Sequence, residues 1–442
     1  MTKTIWIESL GCPKNEVDGE GRESLLLKKG YKITEDEKRA DILILNTCGF
    51  IQSAKEESIE EIFNLITLKK QDRKKKIILC GCLAQRYGEE LWSKLPEVDA
   101  IFGLGEIDKV DGVCSSVLKG KKILKVSPPE RDNGPRKIER TIQKRPFAYV
   151  KIADGCDNRC NYCAIPMIRG NFRSKRIEDI LEEAHQLTDN GVKEVNLIAQ
   201  DTTLYGIDLY GEKRLPQLLH SLSQISKLKW IRLLYTHPAH FSDELIDQMA
   251  SNPKVCKYVD LPLQHISNEI LSRMNRQVTR KDVEELISKL REKIPHLTLR
   301  TSFIVGFPGE KKKHFEELLQ FVDKVRFDKL GAFPYSREEG TNAFNFKGQV
   351  SSKLKQERLD QLMLAQQRIA FEKNQAKIGK TLTVLIDAKS EESNGYFLSR
   401  SPAEAPEVDG VILVKGDRVK IGEFAKTEIV DWCDYDLIGE ER

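Results

Sequence analysis

The chain of 442 residues reads as an α/β multidomain protein: an N-terminal parallel α/β domain, a partial (β/α)6 barrel and a small C-terminal all-β barrel. Three observations predict this. Apolar runs alternate with helical patterns over residues 4–118 and again, six times, between 146 and 335. The length exceeds what a single core supports, which sets a prior of roughly two to four domains. The last stretch of the chain breaks into short β-patterned runs punctuated by Gly, Asn and Pro.

Taken in order, Thr4 to Leu10, Ala40 to Thr47, Lys76 to Leu79 and Asp99 to Phe102 read as strands, with amphipathic stretches such as Ile51 to Leu68 between them. They define a first domain, 1–125. From Lys125 to Arg145 the pattern dissolves into Ser-Pro-Pro-Glu-Arg-Asp-Asn-Gly-Pro and scattered charge, a linker at 126–145. A second domain, 146–374, has strand candidates at Ala148–Ile152, Glu194–Ala199, Trp230–Tyr235, Tyr258–Leu263, Leu297–Val305 and Leu330–Tyr335. Six βα units are too few for a closed eight-stranded barrel and fit an open one, with chemistry expected at the C-terminal strand ends. Ser351 to Lys377 is a long helical pattern that bridges to the last domain, 375–442, where Thr381–Ile386, Tyr396–Ser399, Val411–Val414, Arg418–Ile421 and Phe424–Val430 read as strands.

Charged residues at 32% and hydrophobic ones at 40% are an ordinary globular balance. No segment approaches a membrane span and the N-terminus lacks an apolar signal region, so a cytoplasmic protein with no membrane partner is expected. In that reducing compartment ten cysteines are not a disulfide framework, which favours metal or redox chemistry. The net charge of +4 is unevenly spread: residues 375–442 hold nine Lys/Arg against fourteen Asp/Glu, a formal −5, leaving +9 on 1–374. An acidic tail repels phosphate backbones and suits a basic protein partner, so direct RNA binding is not favoured.

The most informative run is Cys156-Asp157-Asn158-Arg159-Cys160-Asn161-Tyr162-Cys163, a C-x3-C-x2-C loop directly after a strand pattern. Three thiols on one short loop can hold three corners of an iron–sulfur cube and leave the fourth iron to a small molecule; a closed zinc site needs a fourth ligand, and no histidine stands at finger spacing. Structural zinc and buried free thiols are the competing readings. Cys12, Cys48 and Cys82 follow three strand patterns of the first domain, so they reach one sheet edge, where a second cluster can be held. Glycines beside each let the backbone approach a bulky core. Cys80, one step inside its strand, and the single Cys114, Cys256 and Cys433 read as core residues.

Around the second-domain strands, Gly191 to Glu194, Ala199-Gln200-Asp201 and Thr301 to Gly309 lie at or near strand ends and are candidate ligand loops; singly they are weak signals, since Gly-Phe-Pro-Gly is more often a turn than a ligand loop and Gln200 or Asp201 can simply cap a helix. His265, in Leu261-Pro262-Leu263-Gln264-His265, is divided evenly between a satisfied strand-end histidine and a site residue. No nucleophile elbow, P-loop or dinucleotide fingerprint is present, which leaves hydrolase and kinase readings unsupported.

The cysteine octamer resembles the signature of the radical S-adenosylmethionine (SAM) superfamily. Together with Gly11-Cys12-Pro13-Lys14-Asn15, Asn46-Thr47-Cys48-Gly49, Gly81-Cys82-Leu83-Ala84-Gln85, Arg169-Gly170 and Arg173-Ser174, it resembles the radical SAM methylthiotransferases over the whole chain. Ala54 to Ile59, Arg400-Ser401, Ala405 to Gly410 and Tyr435 to Gly439 resemble the branch acting on small-subunit ribosomal protein twelve. Glu16 and Gly19 depart from that branch, which usually has an apolar residue and a serine there; neither is a proposed ligand.

The resemblance implies two [4Fe–4S] clusters, an auxiliary one on Cys12, Cys48 and Cys82 and the radical SAM cluster on Cys156, Cys160 and Cys163, with Tyr162, Glu194, Gln200, Ile304 and Gly306 contacting SAM. No side chain is singled out as catalytic. It further implies a radical SAM core, a C-terminal barrel of the TRAM type, and methylthiolation of the β-carbon of an aspartate, with SAM both as methyl donor and as source of a 5′-deoxyadenosyl radical. Expected partners are the ribosomal protein, free or ribosome-bound, and a reductant such as flavodoxin or ferredoxin. The alternatives are the same chemistry on a tRNA adenosine, and a non-catalytic iron–sulfur protein of ribosome assembly.

Overall fold

Ile42-Leu43-Ile44-Leu45 and Ile77-Ile78-Leu79 place apolar side chains on both faces of a strand, the pattern of a parallel sheet covered by helices on both sides. In the computed structural model, which describes residues 3–128, 140 and 145–442, they form the centre of such a sheet. The chain divides into two units, residues 1–142, 153–175 and 336–344 in the first and 143–152, 176–335 and 345–442 in the second.

In the first unit β1 (Thr4–Ser9), β2 (Lys32–Ile33), β3 (Ile42–Thr47), β4 (Lys76–Cys80), β5 (Ala100–Phe102) and β6 (Ile123–Lys125) form one parallel sheet in the order β2-β1-β3-β4-β5-β6. Leu43, Leu45, Ile77 and Leu79 pack beneath helices Gln52–Gln71 and Gly81–Lys94; Ile42, Ile44, Ile78 and Phe102 pack beneath Pro13–Lys28 and Val110–Leu118. Each such fully buried branched side chain contributes about 1.5–3 kcal/mol. Strands β2 and β6 have no counterpart in the sequence reading: two and three residues at the sheet edges are too short to show a period. The 126–145 linker lies, apart from 126–128, 140 and 145, outside the described residues.

The chain then passes through β7 (Phe147–Lys151), which belongs to the second unit, and re-enters the first through the antiparallel pair β8 (Ala153–Asp154) and β9 (Arg173–Ser174). The cysteine loop lies between them. Residues 336–344 complete this unit: the Glu338 carboxylate takes Lys55 Nζ at 2.9 Å and Arg86 Nη1 at 2.7 Å.

The second unit holds β7, β10 (Glu194–Ile198), β11 (Trp230–Leu233), β12 (Tyr258–Asp260), β13 (Thr298–Val305) and β14 (Lys329–Pro334), paired in parallel as β11-β10-β7 and β12-β13-β14. These are the six expected strands. Two stop early: β11 ends at Leu233, two residues before Tyr235 with its left-handed φ of 57°, and β12 ends at Asp260, two residues before Pro262, which has no amide to donate to a ladder.

Helix Ser352–Gln375, capped by Ser351 Oγ accepting the Leu354 amide, leads to a closed barrel of β15 (Thr381–Lys389), β16 (Tyr396–Arg400), β17 (Ile412–Lys415), β18 (Phe424–Cys433) and β19 (Asp436–Glu441), ordered β15-β16-β17-β19-β18 around Val384, Ile386, Ile412, Val414, Ile429 and Leu437. Arg418–Ile421 is not a strand, contrary to expectation. It is an irregular passage between Gly416 and Gly422, and the fifth strand is the acidic Asp436–Glu441, whose charges hid its β pattern. No helix among the described residues is long and apolar enough to cross a membrane.

Candidate metal centres and strand-edge site

Strands β1, β3 and β4 are neighbours, and each is followed at its C-terminal end by one cysteine. Cys12 is the N-cap residue of helix Pro13–Lys28, and Cys82 sits in the first turn of Gly81–Lys94. Cys48 is fixed by Ser58, whose Oγ accepts the Cys48 amide at 3.0 Å and donates to its carbonyl at 2.9 Å. Gly11 turns at φ 92°, and a Cβ there would lie 2.6 Å from Cys48 Cβ and Sγ, so only glycine admits this approach. At Gly19 a Cβ would meet Ser9 Oγ, so a larger residue there would need that hydroxyl to turn away.

Burial pushes the Cys48 thiol up to about 12, against hydrogen bonding from Phe50. It also raises Cys82, with Arg169 pulling the other way. Both sulfurs therefore hold their protons at pH 7 unless a metal cation displaces them. Arg169 is the neighbouring charge. It is 1% exposed; its Nη2 lies 2.8 Å from Asn15 Oδ1, 3.1 Å from Asp18 Oδ2 and 3.5 Å from Cys82 Sγ, and its Nη1 is 3.0 Å from Asp154 Oδ1. Burial alone would favour the neutral guanidine, but the carboxylates of Asp154 and Asp18 outweigh it and hold the cation.

Arg169 comes from the short helix Ile165–Arg169 that follows the second cysteine set, so one guanidinium ties the segment carrying that set, through Asp154, to Cys82 of the first set within the first unit. Cys156, Cys160 and Cys163 are half-buried. Gly155, at φ 78°, starts the loop against the carbonyls of Gly170 and Asn171; the Cys156 amide donates to Gly170 O at 3.2 Å and the Cys163 amide to Cys160 O at 3.1 Å. Asn161 anchors the loop tip, its carbonyl accepting the Ala343 amide at 2.9 Å and its Oδ1 accepting Asn342 Nδ2 at 2.8 Å. Each set thus presents three sulfur donors on a braced frame, the donor chemistry that iron–sulfur clusters use. Tyr162 lies on this loop, in the first unit.

The other expected SAM contacts lie in the second unit. Gln200 follows β10 at its C-terminal end; Ile304 lies in β13, and Gly306 follows that strand at φ 72° with its amide donating to Glu310 Oε2 at 2.7 Å. Glu194 does not join them. It is the first residue of β10, at the N-terminal end, and is 0% exposed, with Oε1 on Arg232 Nε at 2.9 Å and Oε2 on Arg400 Nη1 at 2.7 Å. Glu194 is a structural anchor tying the β16 arginine to the βα strands, and the SAM expectation for it is dropped. His265 is fully buried, its Nδ1 accepting the Ser267 amide at 3.0 Å and its Nε2 3.6 Å from Glu310 Oε2. Cys80, Cys114 and Cys256 are buried as expected, whereas Cys433, at the end of β18, is exposed.

Sequence reasoning passed over Arg169, Asn15 and Asp18 as a group, although Arg169 had stood out beside Gly170. It named Asp201 only within the Ala199-Gln200-Asp201 loop and passed over His237 and His240, which meet it where β10 and β11 end.

Family models match three stretches: the radical SAM superfamily at 150–322, the uncharacterized protein family UPF0004 at 4–103 and the TRAM domain at 378–441. The ribosomal protein uS12 methylthiotransferase RimO of Desulforamulus reducens is 48% identical, covering 99% of each chain. The protein of the same name from Heliobacterium modesticaldum is 49% identical over 100% of this chain and 95% of its own. Among solved structures, the radical SAM methyltransferase TsrM of Kitasatospora setae aligns with a TM-score of 0.57 at 15% identity, over 78% of this chain and 77% of that one, a likeness of fold.

Proposed function

The chain belongs to the ribosomal protein uS12 methylthiotransferase family of radical SAM enzymes, and from that premise we propose that it attaches a methylthio group to the β-carbon of an aspartate of uS12, small-subunit ribosomal protein twelve. The observation that carries this reading is the pair of three-cysteine sets folded into one unit, with Arg169, from the helix after the second set, against Cys82 of the first. A single cluster suffices for radical generation alone; a second thiol set at the sheet edge is what a sulfur-inserting enzyme needs in addition.

In this reading Cys12, Cys48 and Cys82 hold an auxiliary cluster and Cys156, Cys160 and Cys163 hold the one that binds SAM. When bound, clusters and SAM supply the radical that removes the substrate hydrogen and the methylthio group that replaces it. The chain's own residues keep the frame rigid. Arg169 offsets the negative charge that three thiolates bring into a buried place, while Asn15 and Asp18 fix its fork. Ser58 and Gly11 fix the Cys48 backbone, and Gln200, Ile304 and Gly306 line the strand ends proposed for SAM. The acidic C-terminal barrel docks the basic ribosomal protein, and a flavodoxin- or ferredoxin-type reductant delivers the electron.

The test is mass spectrometry of uS12 and tRNA from cells with and without the gene, repeated with anaerobically reconstituted protein. A gain of one methylthio group on a uS12 aspartate, absent from the deletion strain, is the expected result. Unmodified uS12 with an altered tRNA adenosine would reassign the substrate.

A further inference from the structure

Among the described residues one trio of ligating side chains has donor atoms within 4.8 Å of one another: Asp201, His237 and His240. The reading above uses none of them. The loops that carry them are pinned together, since the Thr202 amide donates to Tyr235 O at 3.0 Å and the His237 amide to Thr203 Oγ1 at 3.1 Å. His237 Nδ1 accepts the Ala239 amide at 3.2 Å, which puts the ring proton on Nε2. That Nε2 is buried without a hydrogen-bond partner, in a residue only 5% exposed. An orphaned buried donor of this kind is destabilising, a cost removed when a ligand atom accepts from it.

The surroundings define the acceptor. The His237 ring stacks on His240 at 4.7 Å and 26°, and His240 Nδ1 lies 2.8 Å from Asp201 Oδ2, so the second ring is itself braced. Burial and the charge of Arg276 drive His237 down to about 2, which keeps it a neutral donor. Burial would raise Asp201, but the hydrogen bond with His240 leads the influences that outweigh it and the carboxyl stays ionised. A divalent metal is poorly served here. His237 Nδ1 is committed to a backbone amide and Nε2 carries the proton, so ligation would demand an imidazolate; His240 has already given Nδ1 to Asp201. A fixed N–H beside a guanidinium complements an anionic oxygen instead.

We propose that His237 Nε2–H, braced by the His240–Asp201 pair, donates a hydrogen bond to a ligand carboxylate, that of the target aspartate or that of the amino-acid end of SAM. The proposal rests on the reading above for the naming of these two carboxylates.

The experiment compares anaerobically reconstituted wild type with His237→Phe, which keeps a stacked ring and deletes the donor. Binding is measured for SAM, for a uS12 peptide with its target aspartate, and for the same peptide with asparagine there. If the substrate supplies the carboxylate, wild type prefers the aspartate peptide by about tenfold or more, the size of one hydrogen bond to a charged group. That preference disappears in His237→Phe while SAM affinity holds. If SAM supplies it, SAM affinity falls by a similar factor and the peptide preference survives. Unchanged SAM affinity together with an unchanged preference, at wild-type iron content, overturns the proposal, as does a zinc stoichiometry that disappears in the variant. His237→Met, flexible and without a donor, gives the same reading where phenylalanine does not pack. A wild type inactive on the peptide overturns the functional reading instead, and SAM affinity then decides the role of His237.

Discussion

Arg169 commits two nitrogens to Asp154, Asn15, Asp18 and Cys82 while fully buried. Arg169→Met leaves Asp18 and Asp154 without that counter-charge, and breaking one partner out of a buried ion pair costs about 3–5 kcal/mol. Thermal unfolding is expected to show a large drop, with Arg169→Lys intermediate because an ammonium restores the charge without the fork. Glu404 is a second buried charge whose effect has a definite pH range. Burial would raise its carboxyl, but Lys329, Lys377 and the Ser401 hydroxyl hold it down at about 2, from an ordinary 4.5. Because the folded value lies below the unfolded one, the stabilisation, about 3 kcal/mol, is complete above pH 4.5 or so and is lost as the pH falls toward about 2. Glu404→Gln should therefore lower stability at neutral pH, and acid titrations of variant and wild type should converge near the bottom of that range.

At the scale of elements, the turn from β4 into helix Gly81–Lys94 depends on one residue. Gly81 has φ 91°, and a Cβ there would come 2.5 Å from both Asn46 Oδ1 and Thr47 O. Gly81→Ala meets both the left-handed backbone and the clash, so a loss of stability of about 1–3 kcal/mol is expected, along with reduced iron content after reconstitution because Cys82 is the next residue. This edge was legible in the sequence: β1, β3, β4 and β5 announced themselves by apolar runs, and the cysteine after each of the first three marked where the chain turns. The six strands of the second unit were equally plain. What stayed hidden has physical reasons. Strands β2 and β6 are too short to show a period, β19 spells its pattern in acidic residues, and Arg169 finds its partners some 150 positions away in sequence. The misplacement of Glu194 was avoidable, since a residue that begins a parallel strand sits at the edge opposite the ligand.

For the whole molecule, a −5 tail on a chain of net +4 gives docking an electrostatic component. Binding of the basic ribosomal protein is expected to weaken as ionic strength rises from about 0.05 to 0.5 M, across which screening shortens markedly; an affinity indifferent to salt would remove the acidic barrel from the account. The first unit also has a history written into its connectivity. It is assembled from three separated stretches of chain, and Glu338, which pairs with Lys55 and Arg86, belongs to the last. A ribosome must therefore have translated beyond residue 344 of 442 before the unit can close. All six candidate ligand cysteines, three at the N-terminal sheet and three on the 156–163 loop, are synthesised well before that point. On the proposed function, iron delivered before that moment would meet a frame still lacking residues 336–344, so cluster loading is expected to come late in maturation.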